Sequence, residues 1–102
     1  MYGVIVDKCP IWVSITMANV TAFQMDGLKI WFYSDDHEPP HFHVKKSGEW
    51  EMRVRFMLDK DEMIQVKWSD KKLSRKIQKE ICDLAEEHRV DLLIQWEQIH
   101  SN

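Results

Sequence analysis

The stretch "EWEMRVRF", Glu49 to Phe56, decides the fold. Trp50, Met52, Val54 and Phe56 alternate without a break with Glu49, Glu51, Arg53 and Arg55. A period of two puts the apolar set on one face of a strand and the charged set on the other. Ser47–Gly48 just before it is a turn signal, so this strand and the one preceding it are expected to form a hairpin. In that preceding strand, "HFHVK", Phe42 and Val44 oppose His41, His43 and Lys45.

The same period extends in both directions. "LKIWFYS" sets Leu28, Ile30 and Phe32 against Lys29, Trp31 and Tyr33. "DKDE" at 59–62 reads as a turn, and "MIQVKW" after it alternates Met63, Gln65 and Lys67 with Ile64, Val66 and Trp68. Four consecutive strands are most simply an antiparallel meander. From Leu73 the period becomes helical: Ile77, Ile81, Leu84 and His88 step by four, three and four along one stripe. Ser74 or Asp70 is positioned to cap the start. The pattern continues through Leu92, Trp96 and Ile99, and "HRVD" marks a kink or a break. The expected architecture is α+β: a small antiparallel sheet of about four strands, packed against one long or two short C-terminal helices.

A chain of 102 residues supports one domain with a modest core. Met17 begins "MANVTAF", which reads as an ordinary start. Residues 1–17 are therefore expected to be an N-terminal extension, upstream of the natural start, with 18–102 the domain. The competing expectation is an extra strand at Val4–Val6 or Ile11–Ile15. The five tryptophans suit a core of a few large side chains. A net charge of −3 argues against a general DNA coat or a polybasic membrane binder. No signal peptide is legible, and Cys9–Met25 is too polar for a span. Cys9 and Cys82 form no CxxC and read as reduced thiols, so the expected location is cytoplasmic.

The chemistry concentrates in "SDDHEPPHFHV", Ser34 to Val44. It holds three of the five histidines, three acids and a Pro-Pro pair. His41 and His43, two apart, share a face of a strand. Pro39–Pro40 favours a stiff, extended connection that would hold His37 at a fixed angle to them. Asp35, Asp36 and Glu38 offer carboxylates. Three readings stand together at this point. Asp36, His37, His41 and His43 could hold a divalent zinc, iron or manganese ion. His41 and His43 could act without metal as an acid/base pair on an RNA backbone. The histidines could instead cap backbone groups in a polar turn. His88, at the end of the helical stripe, is a further catalytic candidate, with Glu97 beside Trp96 a weaker one. "KKLSRKIQK" places Lys71, Lys72 and Arg75 at a helix start, where cations oppose the macrodipole. Phosphate binding there is the functional reading, and a solvated face the plainer one.

"IWFYSDDHEPPHFHV", "GEWEMRVRF" and "AEEHRVDLLIQWE" together resemble the bacterial domain-of-unknown-function family 4160, from about Asn19 to Glu97. Its D-H-x-P-P-H-x-H element falls on Asp36, His37, Pro39, Pro40, His41 and His43. A second element, a histidine followed by a tryptophan–acid pair, falls on His88, Trp96 and Glu97. The resemblance implies that His88 belongs with the cluster. It supplies no activity. Family members look like one half of a two-gene module, which implies a toxin–antitoxin component with a small cognate protein encoded nearby. Leu84 and Ser74 depart from the family, which often has a tryptophan and a proline there; both changes concern packing and capping. The expected function is thus a toxin–antitoxin-type component with a His-rich site, a nuclease-type hydrolase acting on RNA phosphodiesters. The alternative is a protein-binding module that docks through the "DHEPPHFH" segment.

Overall fold

The computed structural model describes residues 16–70 and 73–100. Five strands come first: β1 (Met17–Asn19), β2 (Lys29–Tyr33), β3 (Phe42–Lys46), β4 (Trp50–Val54) and β5 (Ile64–Ser69). They pair in sequence order as one antiparallel meander, with β3 at the centre. A short helix, α1 (Lys60–Met63), precedes β5, and two helices, α2 (Arg75–Glu87) and α3 (Arg89–His100), close the chain. The α+β meander with C-terminal helices matches the sequence expectation, with one more strand than the four counted.

The added strand is β1. It is too short to show a period, yet Ala18 pairs with Phe32 and Asn19 with Trp31. Gln95 of α3 holds it from the other side: its amide donates to the Asn19 carbonyl (2.9 Å) and accepts from the Thr21 N–H (3.0 Å). The strands expected at Val4–Val6 or Ile11–Ile15 lie outside the described residues. A second correction concerns "DKDE". It is not a plain turn, because Lys60–Met63 winds one helical turn that buries Met63 completely. A third concerns β5, which sits at the sheet edge. A bulge opposite Glu51/Met52 interrupts its alternation, and Val66 and Trp68 stay substantially exposed.

The rest of the patterning holds. Ile30, Phe32, Phe42, Val44, Trp50, Met52, Val54 and Phe56 form one buried cluster with Ile81, Ala85, Leu92 and Trp96 of the helices. Phe32 is its hub, with edge contacts to Phe42, Phe56 and Trp96. Gly48 turns β3 into β4 at φ +78°, a left-handed conformation that glycine adopts without a steric cost. Ser74 caps α2, its hydroxyl accepting from the Lys76 and Ile77 N–H groups (3.1 and 3.3 Å). The break expected at "HRVD" falls on His88, which leaves helical geometry while its N–H still reaches the Leu84 carbonyl. Arg89 then ties the helix pair to the turn that follows β4, donating to the Phe56 and Leu58 carbonyls. Among the described residues, no helix is long and apolar enough to cross a membrane.

Candidate functional site

The sheet face opposite the helical core carries a cross-strand row. Asn19, Trp31, His43, Arg53 and Gln65 are successive register partners across all five strands. The row follows from pleating: each member neighbours a core residue in sequence and must point the other way. His43 sits at its centre and is only 2 % exposed. Its ring stacks on Trp31 (5.3 Å between centroids) and meets Tyr33 edge-on (4.8 Å).

The loop between β2 and β3 brings a carboxylate to this imidazole. His43 Nε2–H donates to Asp36 Oδ2 at 2.8 Å. His41, at the entry to β3, turns its own Nε2 on the same oxygen at 3.3 Å, a contact without hydrogen-bond geometry that is an ion pair only when the imidazole is protonated. The other ring nitrogen of His41 is committed, because Nδ1–H donates to the Pro39 carbonyl at 2.8 Å. That bond fixes the ring and leaves Nε2 as the atom aimed inward. His41 Nε2 and His43 Nδ1 are both buried without a hydrogen-bond partner. Burial alone would raise the Asp36 carboxyl. The two imidazoles turned on it overcome that and hold it well below the usual carboxylate range.

The ligand-type atoms of Asp36, His41 and His43 lie within 4.8 Å of one another. Two ligands about 2.1 Å from one ion stand roughly 3.0–3.4 Å apart at octahedral to tetrahedral angles. The two separations from Asp36 Oδ2, 2.8 and 3.3 Å, need little change to reach that range; the two imidazole nitrogens lie within 4.8 Å of each other. The donor set, two imidazoles and one carboxylate, suits zinc, iron or manganese and leaves positions open for water. A cavity of about 370 Å³ opens beside it, lined by Asp36, His37, Glu38, His41, Arg53 and Arg55 among others.

Residues 27–97 match the model of a protein family described as Domain of unknown function (DUF4160). The chain belongs to that family. No curated protein and no solved structure matches it. The DUF4160 match begins just before β2 and ends near the close of α3, so it includes every residue of the site and leaves β1 outside.

Within this DUF4160 domain, three of the four expected metal ligands converge. The fourth, His37, is exposed on the cavity wall and is not in the converging set. The Glu38–Pro39 peptide bond is cis. His88 is elsewhere: it stacks on Phe23 (5.6 Å) and its nearest carboxylate is Glu87 at 3.9 Å. Trp96, from the same family element, does reach the site, its ring 5.6 Å from that of His41. Glu97 is exposed. Lys71 and Lys72 lie outside the described residues, and Arg75 is exposed in the first turn of α2. Arg53 and Arg55 carry no functional role in the sequence reading, only a place on the charged face of a strand, and Gln65 is there only a member of an alternating run. The available signal was register: a hairpin tight at Ser47–Gly48 sets Arg53 opposite His43.

Proposed function

We propose that this domain is a divalent-metal hydrolytic centre, acting on RNA phosphodiesters as one component of a toxin–antitoxin-type module. The observation that carries the reading is the convergence of Asp36 Oδ2, His41 Nε2 and His43 Nε2, with His41 Nε2 buried and lacking a hydrogen-bond donor or acceptor of its own. A neutral His41 that donates from Nδ1 presents a bare lone pair at Nε2. A lone pair facing a carboxylate oxygen at 3.3 Å is unfavourable unless a cation or a proton lies between them. The Pro39 carbonyl is the kind of outer partner that fixes the tautomer of a metal-bound histidine.

A bound ion would supply a water acidified toward neutral pH and would polarise a phosphoryl oxygen. Asp36, His41 and His43 would hold it, and Trp31, Tyr33 and Trp96 pack the imidazoles in place. A metal-free acid/base pair fits less well. It needs both imidazoles to reach substrate, and His43 is 2 % exposed and does not line the cavity. Docking through the "DHEPPHFH" segment would rest on its exposed members, His37, Glu38 and Pro39, and would leave the buried convergence without a role.

The test is cleavage of a single-stranded RNA by the purified chain with manganese, zinc or ferrous iron added, and again with chelator. Cleavage is expected only with metal. His41→Ala lowers it by about two orders of magnitude or more, while His88→Gln leaves it unchanged. In cells lacking the cognate partner, the wild type arrests growth and His41→Ala does not. Intact RNA with every metal, or equal cleavage by His41→Ala, overturns the reading.

A further inference from the structure

The geometry points to Arg53 and Arg55 as the residues that bind the substrate's anionic oxygens, making this cavity a phosphate-recognition site. The inference rests on the hydrolytic reading only for the choice of phosphate among oxyanions. Its basis is an imbalance in how this protein pairs its cations. Lys60 is matched by Asp83 and Glu86, Lys79 by Asp83, Lys67 by Glu51 and Lys46 by Glu49. Among the described residues, Arg53 and Arg55 have no carboxylate partner; nor do Lys29, Lys45, Arg75, Lys76 and Arg89, but of these unpaired cations Arg53 and Arg55 are the two that line the cavity.

Both guanidiniums are half-buried, and both line the cavity beside Asp36 and His41. Each is steadied by one neutral acceptor. An Arg55 Nη2–H donates to the Glu62 carbonyl (2.6 Å), and an Arg53 Nη1–H to Gln65 Oε1 (3.5 Å). The Nε groups of both are buried with no partner. A guanidinium carries five N–H donors in a planar fork matched to carboxylate or phosphate. Two such forks with donors unspent, anchored but not neutralised, form a receptor for an oxyanion. The contrast is the larger cavity at Lys60, Lys79, Cys82 and Asp83, about 530 Å³, whose lysines are already paired with acids.

The cavity also holds Asp35, Asp36 and Glu38, which oppose an incoming anion. A divalent cation on Asp36 would shift that balance toward positive, so anion binding should strengthen when metal is present. The recognised group is therefore one that meets arginines and metal together, as a phosphodiester's non-bridging oxygens can. The volume suits a nucleotide-sized fragment rather than a folded partner. Of the residues first expected to contact phosphate, Arg75 does not line this cavity, and Lys71 and Lys72 lie outside the described residues.

The experiment is calorimetric titration with inorganic phosphate and fluorescence anisotropy with a labelled single-stranded ribo-oligonucleotide, each in chelator and in manganese. The proteins are wild type, Arg53→Gln, Arg55→Gln, Arg55→Lys and Arg75→Gln, with circular dichroism to show that each is folded. Each glutamine variant is expected to weaken both ligands about tenfold, the loss of one charge-assisted hydrogen-bonded contact. Arg55→Lys recovers only part of that, because an ammonium is a point charge without the fork, and Arg75→Gln changes little. The chelator arm separates the two proposals. If no metal binds but the arginine variants still lose phosphate, the recognition site stands and the metal reading falls. Unchanged binding in both glutamine variants, no wild-type binding in either condition, or an equal loss in Arg75→Gln overturns the assignment.

Discussion

His43 and Arg53 are register partners on adjacent strands and project from the same face of the sheet. The first belongs to a buried carboxylate–imidazole cluster and the second to the wall of the cavity beside it. One hairpin thus joins the part of the site that can hold a cation to the part that can hold an anion.

Asp36 should be a structural residue as well as a proposed metal ligand. Its Oδ2 accepts the only hydrogen bond that His43 makes from its buried ring. Asp36→Ala leaves that N–H unsatisfied, a cost of about 1–3 kcal/mol. Asp36→Asn keeps an acceptor and should cost less. Urea unfolding of both variants in chelator checks the order, with metal excluded from the comparison.

Phe32 is fully buried and touches three other core aromatics. Phe32→Ala is expected to cost about 3–5 kcal/mol, a large share of what holds a domain of this size folded. Chemical denaturation should show a much lower midpoint with an unchanged slope, or no folded baseline at all.

Much of this was legible in the sequence. The alternation of Trp50 through Phe56 gave the faces of β4, and Ser74 and "HRVD" marked where α2 begins and ends. The strand β1 was not legible, because three residues show no period and the partner that holds them, Gln95, is 76 residues from Asn19. The cluster was half legible. His41 and His43 declared themselves by spacing, but nothing local separates Asp36 from Asp35, or shows that His37 turns to solvent. His88 enters the expected site through the family element that pairs it with Trp96 and Glu97, the helical stripe making it only a candidate. The stripe is real, but its end packs on Phe23 beneath the sheet. Arg53 and Arg55 stayed hidden because an outward-facing charge is usually only a solvated one.

The cap predicts its own test. Ser74 satisfies two otherwise orphaned N–H groups at the start of α2, a turn with no acidic residue to help it. Ser74→Ala should lower stability by about 1 kcal/mol, and Ser74→Asp should restore it, since an anion there also meets the helix dipole favourably. Thermal unfolding of the two variants reads the difference.

Asp83 predicts a pH dependence. Hydrogen bonds from Lys60 and Lys79 lower its carboxyl from 3.8 to about 2. A lowered folded value means that the stabilisation is complete above the unfolded value and is lost as pH falls from 3.8 toward 2. Asp83→Asn should therefore remove part of the acid-side loss of stability, so that its midpoint falls less than that of the wild type over that range. The group is at the surface, so the difference should be small and should shrink in high salt. Denaturant midpoints at about pH 5 and about pH 2.5, for both proteins, test the sign.

The most direct test of the central claim is metal content, by mass spectrometry, of protein purified without a histidine tag, for the wild type and for His41→Ala/His43→Ala. The account predicts about one zinc, iron or manganese ion per wild-type chain and none in the variant. A wild type that stays metal-free when each of these ions is supplied, or a variant that keeps its metal, would contradict it.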